Sequence, residues 1–363
     1  MNSKGTSSEE TDIRISNSKI KNSKETSSKR TNGKETKSKE TKSKETNSKE
    51  TNGKKAAYLY AHRAHETEEE LCRMELRALT GGHALTPTLT ESQRNVDADR
   101  SPFVYGKMKV EAVSASLDDI CHYASGIELA EGETFKVLCL KEGAYPNYRD
   151  SRELERKIGA CVRGKADMHS PAKMFALILQ DGLYRFGEYE ESGRAWRAHI
   201  QKPHAYSTGL GVPLARAAVN IAAAGAAGRR MLDPCCGMGT VLIEGLSMGL
   251  DMTGCDLNPL AVTGARGNLL HYGYPEDRVQ LGDMRKLEGK YDTALLDMPY
   301  NLCSVITREE TLEMLFALRR LTDRAVVIST QPIEAEIREA GFSVEDACTA
   351  AKGSFARNLW LCR

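Results

Sequence analysis

The chain has 363 residues, room for two or three domains of ordinary size, and 51 basic against 50 acidic side chains, so no whole-molecule field draws it to a polyanion. No apolar stretch approaches the length of a bilayer span, and no apolar core of the secretory kind stands near the N-terminus. The ten cysteines form no Cys-x-x-Cys pair, which argues against a disulfide framework or a zinc knuckle and predicts a cytoplasmic protein with reduced thiols.

Charge is unevenly spread. Residues 1–55 carry 15 basic and 8 acidic groups, which leaves a mildly acidic body. Within them 38–42, 43–47 and 48–52 repeat with a period that matches neither helix nor strand, and Met1, Ile13, Ile15 and Ile20 are the only apolar residues. Nothing there offsets the entropy of ordering, so 1–55 is predicted to be a disordered tail. Order is expected from 57 onward. The run 57–61 (AYLYA) reads as a strand, and 66–79 as a helix through the spacing of Leu71, Met74, Leu76 and Leu79, stopped by Gly81-Gly82. Next come an extended stretch at 103–110, a helix at 117–124 and a strand at 134–140, while 83–102 offers no pattern. Strand-helix-strand followed by helix-strand suits a small ferredoxin-like unit. A helix is expected over 152–162, and 174–180 and 183–189 flank Asp181-Gly182, the signal for a tight hairpin. Residues 190–210 read as a polar linker. From Val212 apolar strands and helices alternate, as in a parallel α/β sheet, and the chain divides at about 1–55, 56–195 and 205–363.

The third part begins with its most informative segment, Arg230-Met-Leu-Asp-Pro-Cys-Cys-Gly-Met-Gly-Thr240. A short strand ends in Asp233, and a turn with Gly237 and Gly239 leads into a helix. Glycines serve where backbone approaches a ligand or takes positive φ, and the end of the first strand is the ligand crevice of a doubly wound sheet. A dinucleotide loop would need a third glycine where Ile243 stands, and Asp233 would repel a pyrophosphate. It would attract the sulfonium or amino group of S-adenosylmethionine. Two further strand candidates end in acids: Asp256, suited to ribose hydroxyls, and Asp283, suited to an adenine amino group. Cys235 and Thr240, beside the turn, complete the expected cofactor set.

A fourth apolar run, 291–296, ends in Asp297-Met298-Pro299-Tyr300. The amino nitrogen of a nucleobase is a poor nucleophile because its lone pair is delocalised. A carboxylate and a carbonyl that accept from that NH2 orient the lone pair and can receive its proton. These roles fall to Asp297 and to the Met298 carbonyl, with Pro299 stiffening the loop and Tyr300 offering a ring for an extruded base.

With these motifs assembled, the chain resembles the THUMP-domain tRNA guanine-N2-methyltransferases that act on the guanosine at tRNA position 10. The resemblance covers about 56–363 and is most specific from Leu214, through Leu214-Ala215-Arg216, Val219-Asn220, Asp233-Pro234, Cys236-Gly237, Gly239-Thr240, Ile243-Glu244, Asn268-Leu269 and Gly282-Asp283. It implies an α/β protein, with a class I methyltransferase doubly wound sheet preceded by an α+β ferredoxin-like and THUMP RNA-binding region. It also implies S-adenosylmethionine as cofactor and tRNA as partner; a helper subunit has no support in the sequence. The family tetrapeptide is Asp-Pro-Pro-Tyr, so Met298 replaces its first proline, losing a fixed φ and gaining an N–H.

Other residues carry weaker expectations. Cys235-Cys236 suggests redox or metal chemistry less than small side chains under a glycine turn. His62, His65, His199 and His204 are phosphate contacts or packing residues; Arg194, Arg197 and Lys202 could grip an RNA backbone; Trp196 could anchor the linker; and Asn301 is a base contact or a turn former. The competing functions are an amino-methyltransferase for DNA or protein glutamine, and an RNA-binding relative without activity.

Overall fold

The computed structural model describes residues 57–141, 146–206, 209–224, 228–299, 306–352 and 355–363; the tail expected to be disordered, and Tyr300 and Asn301, lie outside them. β1 (Ala57–His62) is followed by a short helical turn at Glu66–Glu68 and then α1 (Glu69–Thr80), which ends where Gly81 takes φ 61° and returns its N–H to the Arg77 carbonyl. The patternless stretch after it holds β2 (His83–Thr86), β3 (Leu89–Ser92) and a turn at Ala98–Arg100. Then come β4 (Val104–Ser114), α2 (Leu117–Ser125), β5 (Thr134–Leu140), α3 (Tyr148–Gly159), β6 (Lys165–Ala166), β7 (Lys173–Gln180) and β8 (Leu183–Glu191).

All eight strands share one sheet, ordered β2-β3-β1-β4-β8-β7-β5-β6. The elements of 57–140 do not stay together in it. The β7–β8 hairpin turns at Asp181 and Gly182, both at positive φ. It lays β8 along the long edge of β4, from Gly106 opposite Glu191 to Ser114 opposite Tyr184. With that edge taken, β5 pairs in parallel with β7, and three strands separate it from β1.

The second sheet begins after α4 (Val212–Ala223) with β9 (Arg230–Asp233), α5 (Thr240–Ser247), β10 (Asp251–Asp256), α6 (Pro259–His271) and β11 (Val279–Leu281). It continues with β12 (Thr293–Asp297), α7 (Arg308–Leu321), β13 (Ala325–Ser329), α8 (Glu334–Glu339), β14 (Val344–Lys352) and β15 (Phe355–Cys362). The order is β11-β10-β9-β12-β13-β15-β14, parallel except for β15, which runs antiparallel to both its neighbours. From β9 the chain builds outward through β10 and β11, then returns to β9's other edge with β12. That reversal opens a crevice at the carboxyl ends of β9 and β12, where ligands of doubly wound sheets bind.

The two sheets are not joined by a linker alone. α4 is alanine-rich and buried along nearly its whole length, packed between α1, α5 and β12. One apolar core runs from Leu71, Met74 and Leu76 of α1 through Val219 and Ile221 of α4 to Met231 and Val326 in the second sheet. Polar groups cross the same contact in pairs. Asn220, wholly buried, donates to Glu75 Oε1 at 2.7 Å and to the Arg100 carbonyl at 2.8 Å, and Ser101 donates to Glu75 Oε2 at 2.9 Å. Arg216 donates to the Asp99 and Arg100 carbonyls and to Glu244. Buried polar groups at such a contact are tolerated because each has a partner.

Candidate active site

Four strands of the second sheet deliver one acid each to a single cavity of about 780 Å³, within the range of small-molecule sites. In sheet order these are Asp283 beyond β11, Asp256 ending β10, Asp233 ending β9 and Asp297 ending β12. Cys235, Gly237, Thr240, Met298 and Pro299 line the same space. Gly239 does not. It takes φ 76° as the residue before α5, and a Cβ on it would come within 3.3 Å of Ala265. Its glycine serves the turn rather than the cavity.

The turn is held to the sheet. Cys236 N–H donates to the Cys255 carbonyl at 2.9 Å, Gly239 N–H to the Cys236 carbonyl at 2.8 Å, and Gly237 N–H to Asp256 Oδ2 at 2.8 Å. Cys236 lies buried beneath it, and a Cβ on Gly254 of β10 would meet Leu242 at 2.7 Å and Cys236 at 3.0 Å. Cys235 Sγ points to Met284 Sδ at 3.7 Å, and burial holds both thiols well above the usual range, hence protonated. Among the described residues no group of three or more His, Cys, Asp or Glu is placed to hold a metal ion.

The acids differ in environment. Asp256 also accepts from Asn258 N–H. Asp283 falls just past β11, capping a short turn, and its carboxylate takes Arg285 Nε and Nη2. Asp233 is 2 % exposed, and its Oδ1 is buried without a hydrogen-bond partner. Burial first, then the Asp297 and Asp256 charges, push its carboxyl well up. Asp297 Oδ1 is likewise buried and unpartnered, and burial raises that carboxyl to about 7 against the opposing pull of the Arg357 guanidinium.

Met298, where a proline stood in the expected tetrapeptide, has its side chain buried among Leu296, Met314 and Leu315. Its N–H donates to the Ile328 carbonyl at 2.8 Å, prolonging the β12–β13 ladder by one bond. The extra donor is thus satisfied, and it fixes the loop by pairing where proline would fix it by its ring.

Sequence reasoning missed one wall of the cavity. Lys202, Tyr206, Gly209 and Leu210 line it, and all belong to the segment read as a linker. This strap is anchored: Trp196 is 6 % exposed, His199 Nδ1 meets Glu244 Oε1 at 2.6 Å, and Tyr272 donates to the Ala198 carbonyl. Asn268, wholly buried, accepts from His204 N–H and donates to the His204 and Met238 carbonyls, tying strap to glycine turn. The legible signal was Trp196, an apolar anchor in a polar stretch. Of the other histidines, His62 is a core residue between Cys72 and Thr90, lowered to about 4 by burial, and His65 caps the turn before α1. His62, buried, is not placed to bind phosphate, whereas His65 is exposed. Among the described residues no helix is long and apolar enough to cross a membrane.

Comparison with known proteins bears on this arrangement. Residues 200–320 match a family model described as an RMKL-like methyltransferase domain, a span that takes in most of the cavity lining and starts within the strap. A tRNA (guanine(10)-N2)-dimethyltransferase of Methanothermobacter thermautotrophicus is 30% identical over 269 residues, 68% of this chain and 79% of that protein. One of the same name from Pyrococcus abyssi is 33% identical over 199 residues, 52% of this chain and 60% of its own. Among solved structures, TrmN from Thermus thermophilus aligns at a TM-score of 0.46 and 21% identity, over 85% of this chain and 99% of its own.

Proposed function

Because the chain belongs to the tRNA (guanine(10)-N2)-dimethyltransferase family, we propose that it transfers methyl groups to the exocyclic N2 of a guanosine in tRNA, with S-adenosylmethionine as donor. The observation that carries this reading is the convergence of Asp233, buried, and Asp297, half-buried, each with one buried, unpartnered oxygen, at the reversal point of the second sheet and beside the Gly237 turn.

The residues present suit such a donor. Asp233 is an acceptor for its ammonium group, Asp256 for ribose hydroxyls, and Asp283 for the adenine amino group. Asp256 and Asp283 are already hydrogen-bonded, yet a carboxylate offers about four lone-pair sites, so each retains capacity. The Gly237 turn, Cys235 and Thr240 shape the wall between them. When bound, the donor supplies an electrophilic methyl group on a sulfonium centre.

The chain's own residues do the rest. Asp297 accepts a hydrogen bond from the guanine NH2, with the Met298 carbonyl as second acceptor, and so turns the nitrogen lone pair toward the methyl group. A carboxyl balanced near 7 is well matched to receiving the proton that leaves the alkylated nitrogen. Pro299 restricts the loop; Tyr300, outside the described residues, keeps the role proposed from the sequence, a ring offered to the base. A monomethylated N2 still carries one N–H, so the same acceptor serves a second transfer. We assign tRNA binding to the eight-stranded region of 57–191, in the manner of a THUMP-containing module.

The test is methylation of unmodified tRNA by purified protein, read by nucleoside mass spectrometry. N2-methylguanosine or N2,N2-dimethylguanosine is expected, with neither formed by Asp297→Ala. Methylation of another base, or undiminished activity in that variant, would overturn the assignment.

A further inference from the structure

The strap brings a cation into a cavity otherwise dominated by acids. Lys202 lines it with Asp233, Asp256, Asp283, Asp297 and Glu310. Arg285 is the other cation of the lining, and its guanidinium is already held by both Asp283 oxygens and by Glu313 at 2.8 Å. Lys202 makes no hydrogen bond or ion pair among the described residues. The acid whose charge it feels, Glu244, is wholly buried, with one oxygen on His199 and the other on Arg216 at 2.7 Å. Partial burial lowers the lysine pKa, so an anionic partner would relieve a real desolvation cost.

S-adenosylmethionine carries, besides its cationic centre, an amino-acid carboxylate. Entering this cavity, that carboxylate faces acids on several sides, and like charges repel strongly where solvent is excluded. Backbone donors of the glycine turn are the usual alternative for an anion, but here three of them are committed. Cys236 N–H is bound to the Cys255 carbonyl, Gly237 N–H to Asp256, and Gly239 N–H to the Cys236 carbonyl. We infer that the Lys202 ammonium receives the donor's carboxylate, so that the strap is part of the donor site and selects the intact amino-acid end. The inference rests on reading the cavity as the methyl-donor site. The strap's fastening to α5 through His199 and to α6 through Asn268 keeps the lysine in position without using it.

Calorimetric titration of the full chain with S-adenosylmethionine and with its decarboxylated form, which keeps ammonium and sulfonium, separates the possibilities. The wild type is expected to prefer the carboxylate-bearing ligand by on the order of tenfold or more, as charge-assisted hydrogen bonds warrant. Lys202→Met should remove that preference by weakening S-adenosylmethionine alone, and Lys202→Arg should restore part of it. Equal binding of both ligands by wild type and Lys202→Met, or equal weakening of both in the variant, would overturn the carboxylate role while leaving the donor site standing. Failure of the wild type to bind either ligand would overturn the donor reading and this inference together.

Discussion

Replacing Asp297 by Asn should stop methyl transfer while making the fold more stable at alkaline pH. In the unfolded chain this carboxyl titrates near its ordinary value of 3.8, and in the folded protein near 7. Between those values the native state holds a proton that the unfolded state has lost, so stability falls as pH rises through this window and levels off above about 7. A shift of that size corresponds to about 4 kcal/mol at about 1.4 kcal/mol per unit. Water entering the cavity mouth and local relaxation make this a ceiling, and the new amide itself leaves a buried donor to satisfy, so about 1–3 kcal/mol should survive. Removing the Asp297 charge also relieves Asp233, which feels it directly. Urea unfolding of both proteins at pH 5 and pH 8 reads the effect as a stability difference that favours the variant and grows with pH. Single-turnover methyl transfer by the wild type should climb through about pH 7 as Asp297 ionises. A difference independent of pH would refute the buried, proton-holding carboxyl, and retained methyl transfer would refute its catalytic role.

Three other substitutions probe the frame around it. Met298→Pro restores the family's tetrapeptide but removes the N–H that serves the Ile328 carbonyl and a buried side chain; a loss of about 1–3 kcal/mol in denaturant titration is expected, with methyl transfer to guanosine retained. Gly254→Ala drives a methyl group into Leu242 and Cys236 under the glycine turn, so affinity for S-adenosylmethionine measured by calorimetry should fall severalfold or more while the eight-stranded region is untouched. Asn220→Ala strips a donor from Glu75, whose carboxyl burial already raises to about 7. That donor favours the ionised form, so its loss raises the pKa further. The destabilisation, about 2–3 kcal/mol, should be larger at pH 8 than at pH 6 in paired urea titrations.

What the sequence disclosed follows from where the determining interactions lie. Each of the four aspartates of the cavity follows an apolar run, so 230–233, 251–256, 279–281 and 293–297 announce strand ends that local pattern alone can find. The Asp181-Gly182 hairpin needs φ values that its own residues favour, and it too is local. The destination of β5 is different, because it depends on which edge the hairpin covers first. The strap is harder still. Its residues are polar and aperiodic, and what makes it a wall is contact with Glu244 and Asn268, 45 and 64 residues further along the chain. The fate of the Met298 N–H likewise depends on the register of β13, which no feature of the tetrapeptide encodes.

The same cavity shows why such a site is costly to keep. Asp233 and Asp297 are acids with buried, unpartnered oxygens, and the cation that bears on Asp297, Arg357, opposes its shift without cancelling it. A chain selected for stability alone would place amides or apolar groups at these strand ends. Glu75, buried more deeply, shows the contrast: Asn220 and Ser101 each donate to it, and it serves only to join α1 to α4. Two acids that each keep a buried, unpartnered oxygen at the reversal point of a doubly wound sheet are therefore better explained by a cationic ligand and an amino-bearing substrate than by packing. Local destabilisation of this kind persists where the missing partners arrive with the substrates.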